Sequence, residues 1–211
     1  MFTGLVVASV PVLAVEDLHA GGRSLVLGWP ERLARPAVGA SVAVDGVCLT
    51  VRTRRARRVV FDLSPETLVR TTLGRLEPGG RVHIEPSLTL SSPLGGHFLT
   101  GHVDGVGCVH TLTPLGEGFL RLEIVVPRTL LPLIAVKGSL AVDGVSLTVN
   151  SKRGARVSFA IIPHTRAVTR FGDYRSGTPV NLEVDLIARY VQAALAARRG
   201  SVRGARRRPR R

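Results

Sequence analysis

A thiol and a hydroxyl occupy matching places in this chain. Cys48 lies in SVAVDGVCLTV (41–51) and Ser146 in SLAVDGVSLTV (139–149), two stretches that share nine of eleven residues. A thiolate is a strong nucleophile, whereas a serine with no adjacent base is a poor one and is better suited to hydrogen-bonding a ligand. On composition alone a lone Cys is a small core residue, and Cys108 is read that way. Cys48 stands out because it follows an Asp-Gly turn whose copy carries Ser. A second contrast is His102, in LTGHV (99–103), which stands where FTGLV (2–6) has Leu5. An imidazole titrates near neutrality and suits general-base work, a structural hydrogen-bonding His being the bland alternative. His97 and His102 lack the Cys pair or third ligand of a metal site, so no metal is expected.

These residues sit in a chain that is almost entirely one module written twice. FDLSPETLVRTTLG (61–74) matches FAIIPHTRAVTRFG (159–172), and RVHIEPSL (81–88) matches PVNLEVDL (179–186), both displaced by 98 residues like the opening pair. That period is too long for a solenoid, so each copy is expected to be a small domain with its own core. Within each copy the apolar stretches are short and β-branched, with Gly, Pro or Asp between them, which predicts an all-β barrel or sandwich. Asp45-Gly46 and Asp143-Gly144 predict tight hairpin turns. Ser64-Pro65-Glu66 predicts a capped short helix over 65–71, with a partner beginning near Pro163. LIARYVQAALAARRG (186–200) breaks the pattern: Ile187, Tyr190, Val191, Ala194 and Leu195 recur at helical spacing, Asp185 can cap the start and Gly200 can end it. Whether that helix covers its own barrel or packs on copies of itself is open on pattern alone.

Composition excludes several classes. The 211 residues carry a formal charge of +14, but eight Arg fall in the last fourteen residues. That Arg- and Gly-rich tail has too few apolar residues to offset its ordering entropy and is expected to be disordered. RTRRARR (52–58) reads as an exposed hairpin loop. No base-reading motif or interleaved aromatic accompanies the charge, so specific nucleic-acid binding is not expected, while weak salt-sensitive RNA adhesion stays open. No apolar run approaches the roughly 18–20 residues of a membrane span. Two cysteines are too few for a disulfide framework, so a reducing, cytoplasmic setting is the default.

The start MFTGLV, the pair VDGVCLTV and VDGVSLTV, SPETLVRTTLG, LGGHFLTGHVDGVG and IPHT together resemble riboflavin synthase of the two-lumazine-binding-domain type, from residue 1 to about 195. The resemblance implies two tandem, similar, Greek-key six-stranded β-barrels followed by a C-terminal helix. It places an N-terminal lumazine-binding barrel at 1–97, a second at 98–185, a trimerisation helix at 186–199 and the tail at 200–211. It further implies a homotrimer, association with lumazine synthase, and no external cofactor. The activity implied is a dismutation in which one molecule of 6,7-dimethyl-8-ribityllumazine gives a four-carbon unit to another, yielding riboflavin and 5-amino-6-ribitylamino-uracil. Two like molecules held face to face need two similar pockets, and donor and acceptor roles require the pockets to differ.

Carried over residue by residue, the resemblance implies Cys48, His102, Ser41, Ser146, Thr148 and Asp185 as groups near the chemistry. One ligand would meet Gly4, Leu5 and Val6 with Ser146, Leu147, Thr148 and Ala160, Ile161, Ile162, Pro163, His164 and Thr165. The other would meet Cys48, Leu49, Thr50, Asp62, Leu63, Ser64, Pro65, Glu66, Thr67, Gly101, His102, Val103 and Lys137. Ordinary strand and turn roles are the alternative for Ser41, Thr50 and Thr148, and helix capping for Asp185. The chain departs from the family at Val7, at Asp45 where Asn is frequent, at Pro86-Ser87, and in LSSPLGGH. These positions bear on loop geometry and affinity. A non-catalytic lumazine- or flavin-binding antenna protein of the same fold is the competing reading.

Overall fold

The computed structural model describes residues 1–205, the side chains of 199–205 excepted. The first copy contains β1 (Ala8–Asp17), β2 (Arg23–Gly28), β3 (Ser41–Val44), β4 (Val47–Arg55), β5 (Arg58–Leu63), α1 (Pro65–Arg70) and β6 (Arg81–Pro86). Its strands close a six-stranded antiparallel barrel in the order β1-β2-β5-β4-β3-β6, so the β3-β4-β5 meander lies between β2 and β6 in Greek-key fashion. Alternate residues point inward, and Val10, Leu27, Phe61 and Ile84 are fully buried. Asp45 and Gly46 take φ of +43° and +78°, the paired positive values of a two-residue hairpin turn. Ser64 caps α1 by accepting from the Thr67 amide at 3.2 Å.

The second copy contains β7 (Gly105–Gly116), β8 (Phe119–Val125), β9 (Ser139–Val142), β10 (Val145–Thr148), β11 (Ser151–Arg153), β12 (Arg156–Ile161), α2 (Pro163–Val168) and β13 (Pro179–Val184). The expected second closed six-stranded barrel is not formed. The sheet is an open seven-stranded half-barrel in the order β10-β9-β13-β7-β8-β12-β11. The difference is local: β10 and β11 are the two halves of what is one strand, β4, in the first copy. There the irregularity between Val51 and Thr53 is absorbed as a bulge within a continuous strand. In the second copy Asn150, a poor strand former, replaces Arg52, and the ladder stops at Thr148. Across the break the Val149 amide still donates to Gly138 O, as Val51 does to Ala40 O in the first copy, and Asn150 donates to Ser158 O. The core behind it is nonetheless separate, built on Leu122, Phe159, Val180 and Leu182.

Helix α3 (Leu186–Ala205) follows. Asp185 Oδ1 accepts from the Ile187 amide at 2.9 Å, and Arg189 ties the first turn to Asp104 at 2.9 Å. The helix continues past Gly200, the residue expected to end it, as far as Ala205, and residues 206–211 of the Arg-rich tail lie outside the described part of the chain. Ile187 and Tyr190 are 65% and 69% exposed, and Val191 and Leu195 about half exposed. The apolar stripe therefore does not cover its own sheet. Among the described residues no helix is long and apolar enough to cross a membrane.

The two units meet across a buried polar knot that follows the repeat. Asn181 donates Nδ2–H to Asp45 O at 2.8 Å and accepts the Thr72 amide at 2.8 Å. Its counterpart His83 contacts Asp143 O through Nδ1 at 3.0 Å and accepts the Arg170 amide at Nε2, 2.8 Å. An imidazole can mimic an amide in this way only as the neutral Nδ1–H tautomer. Burial, with Arg170 nearby, pushes the His83 pKa down to about 3. Because the folded pKa is depressed, this residue's contribution is fully present above pH 6.5 and is lost as pH falls from there toward 3. His83→Asn should restore the symmetric bonding, so its stability relative to the parent should rise between pH 7 and pH 4.5, read by urea unfolding at both.

Candidate functional site

The chain crosses between the two units twice, and each crossing builds a site. Residues 2–6 run beside 97–99, with Phe2 and Leu99 paired through their backbones. Glu85 accepts from Thr3 N, Thr3 Oγ1 and Gly4 N at 2.7, 2.7 and 3.0 Å. Glu183 accepts from Thr100 N, Thr100 Oγ1 and Gly101 N at the same three distances. Each TG segment is thus pinned to its own unit by a buried carboxylate. Burial raises the pKa of both acids, against the pull of those donors. Each segment then reaches across: Ser146 N donates to Gly4 O and Cys48 N to Gly101 O, both at 2.9 Å. Val6 packs on the second core and Val103 on the first.

Glycine is required at both crossings. Gly4 and Gly101 have φ of +79°, and a Cβ would stand 2.6 Å from Ser146 Cβ or 2.5 Å from Cys48 Cβ. The carboxylates matter as much. Replacing Glu183 by Gln keeps the shape but presents a donor NH2 where one of the segment's N–H groups now finds an acceptor. That should cost about 1–3 kcal/mol, measured by denaturant unfolding, and should loosen His102, whose amide rests on Thr100 Oγ1 at 3.3 Å.

Around Cys48 the structure gathers most of the predicted set. Strand alternation places Cys48 and Thr50 outward and buries Leu49. Ser41 lies opposite Thr50 across the β3–β4 ladder. Asp62 is outward on β5, 3.2 Å from Arg52, and Leu63 is buried. Ser64, Pro65, Glu66 and Thr67 follow at the start of α1, and Gly101, His102 and Val103 arrive on the crossing segment. His102 is exposed. Lys137 is not brought to this group: it is exposed with φ +67° and its amide donates to Val149 O at 2.8 Å, on the Ser146 unit of the same chain.

The Ser146 site is the counterpart, with Ser146 and Thr148 outward, Leu147 buried, and Ser139 opposite Thr148. Ala160, Ile162, Pro163 and His164 are exposed around the entry to α2, with Ile161 buried and Thr165 in its first turn. Gly4, Leu5 and Val6 complete it. Both sites are open on a single chain. A cleft of about 510 Å³ lined by Trp29, Pro30, Arg32 and Arg57 contains none of these residues.

Sequence reasoning missed one group. His97 Nδ1 lies 2.7 Å from Ser146 Oγ, its ring is buried, and Nε2 has no hydrogen-bond partner among the described residues. Burial lowers its pKa and so favours the neutral ring, partly countered by the Asp185 carboxylate. Ser146 therefore has an imidazole within hydrogen-bond reach. At the repeat spacing the place of His97 beside Cys48 would fall to Leu195, on the exposed stripe of α3. The two sites are mirrored in backbone and differ in their acid–base groups. The only signal in the sequence was that His97, in GGHF, stands where the repeat spacing puts the apolar Leu195.

Comparison with known proteins gives the family and the fold. The family described as "Lumazine binding domain" matches twice, over residues 3–87 and 100–185. The chain is 39% identical over 196 residues to riboflavin synthase of Mycobacterium tuberculosis, covering 91% of this chain and 96% of that one. It is 36% identical over 190 residues to riboflavin synthase of Chlamydia muridarum, covering 90% and 92%. Among solved structures, LumP complexed with riboflavin superposes with a TM-score of 0.78 at 25% identity, covering 87% of this chain and 99% of LumP.

Proposed function

We propose, from the premise that this chain belongs to the riboflavin synthase family of paired lumazine-binding domains, that it is a transferase making riboflavin. Two molecules of 6,7-dimethyl-8-ribityllumazine react, one ceding a four-carbon unit to the other. Riboflavin and 5-amino-6-ribitylamino-uracil leave, and no external oxidant, reductant or cofactor is consumed. The observation that carries this reading is the pair of mirrored sites with unlike chemistry: Cys48 and exposed His102 in one, Ser146 with buried His97 and Asp185 in the other. A protein that only stores a ligand needs one good site and no such contrast.

In this reading the outward strand residues Thr50 and Thr148, the exposed strand ends and the first turns of α1 and α2 meet the two pteridine rings and their ribityl chains. Cys48 assists addition at its lumazine, with Ser41 beside it. His97 and His102 exchange the protons that the 7-methyl and ring positions lose and gain, and the Asp185 carboxylate electrostatically favours the protonated form of His97. The openness of each site on one chain is answered by a homotrimer. The bare stripe of Ile187, Tyr190, Val191 and Leu195 on α3 packs against other copies, and the Cys48 site of one chain faces the Ser146 site and Lys137 of the next. The units 1–97 and 98–185 are the two lumazine-binding domains, acting in the cytoplasm.

The likeness to LumP keeps an antenna-type binding protein as the second reading. Incubating the purified chain with the lumazine as sole substrate separates the two. Growth of flavin absorbance and emission is expected; a stably bound lumazine that never converts would leave the antenna reading standing.

A further inference from the structure

Two carboxylates and one guanidinium are buried where the units meet. Asp45 and Asp143 are 1% and 2% exposed, and each opens the hairpin turn that leads to Cys48 or Ser146. The turns are in backbone contact: a Cβ on Gly46 would lie 2.7 Å from Gly144 N, and the reverse is equally close. Asp45 Oδ1 accepts the His83 amide and Asp143 Oδ1 the Asn181 amide, both at 2.7 Å. Arg170 Nη2 donates to Asp45 Oδ2 at 2.9 Å and stands 4.0 Å from Asp143 Oδ2, which also accepts the Tyr174 hydroxyl. The remaining titratable group facing the knot, His83, is neutral by its bonding.

The charge is supplied by one copy only. At the repeat spacing Arg170 corresponds to Thr72 and Tyr174 to Leu76, so the first copy offers the knot no cation and no phenol. Resting on the function argued above, we propose that Arg170 is a positioning residue for the reaction, holding the Asp45 and Asp143 turns together and thereby fixing how the Cys48 and Ser146 sites of one chain are set relative to each other.

The physics is a like-charge contact with a single counter-ion. Burial alone pushes both acids up, and Asp143, also facing Asp45, reaches about 7 even with Arg170 present. Burial opposes the charge on Arg170, but the two carboxylates outweigh this and keep it protonated. Without the guanidinium the pair can stay buried only by holding extra protons, so the folded state would bind more protons than the parent does. Its deficit must then grow as pH rises and shrink as pH falls.

Parent, Arg170→Gln and Asp45→Asn/Arg170→Gln should be compared for riboflavin affinity by fluorescence titration and for turnover from pH 6 to pH 8.5. Arg170→Gln is expected to keep affinity within about threefold and to lose about tenfold or more in kcat at pH 8, the order expected for a small misplacement of reacting groups. That loss should ease toward pH 6. The double variant should return to within about threefold of the parent, with the parent's pH profile. An Arg170→Gln variant that turns over like the parent at every pH overturns the proposal, as does a pH-independent loss that Asp45→Asn does not relieve. Should Arg170→Gln fold at pH 6 but not at pH 8, recovery in the double variant supports the proposal and failure of the double variant overturns it. A parent that binds riboflavin but forms none defeats the enzymatic reading and the proposal together; an active parent confines any failure to Arg170.

Discussion

Cys48→Ser is expected to slow riboflavin formation by a factor on the order of 100 or more, the range in which loss of a reacting side chain falls, while riboflavin affinity stays within a few-fold. The separation of effects follows from the fold. Cys48 N remains bonded to Gly101 O whatever the side chain, and Ser146 shows that the same hairpin, turn and crossing glycine accommodate a serine. The substitution therefore makes the two strand positions alike without disturbing the backbone. What it removes is the polarisable, nucleophilic sulfur. A Cys48→Ser enzyme as fast as the parent would mean that the sulfur only fills space beside Phe2, Ala43, Leu99 and Ala141.

The second large effect should come from His97. Its contact with Ser146 Oγ is the one place where a buried base touches a hydroxyl in either site, so His97→Gln should lower kcat by about 100-fold or more, the usual worth of a positioned acid–base group. The pH dependence gives the sign. Burial holds the His97 pKa below its ordinary value of 6.5, so in the parent the base is competent at neutrality and turnover falls only as pH drops below that depressed pKa. The variant should lose this acidic limb and run slow and flat. Ser146→Ala should cost about as much, and the double variant little more than either alone, because the two act as a unit. Additive losses would separate them and reduce His97 to a packing residue.

Much of the architecture was legible because it is local. Asp-Gly turns, Ser64 before Pro65, alternation in VCLTV and the 3.6 period of 186–195 each depend on neighbours a few residues apart, and the structure forms those elements. The repeat carried this further, since two copies of one pattern imply two similar units. It also misled, because the second copy was expected to close as the first does. The second copy instead has two strands, β10 and β11, where the first has β4, with Asn150 between them in the place of Arg52, and its sheet stays open. Gly200 misled in the same way: a residue with a stop signal sits inside a helix that runs on to Ala205.

The sequence by itself determined the duplicated β modules, the turns that present Cys48 and Ser146, and the sulfur-for-oxygen difference between them. Only the tertiary structure decided which segments complete each site, since Gly101 meets Cys48 and Gly4 meets Ser146 through bonds that span 53 and 142 positions of the chain. It also decided that Ser146 has an imidazole within hydrogen-bond reach, that His83 must be neutral, and that one Arg answers two buried carboxylates. Turn and strand preferences are set within a few residues, whereas the strength of a base or the charge of a carboxyl depends on what burial and distant strands bring beside it.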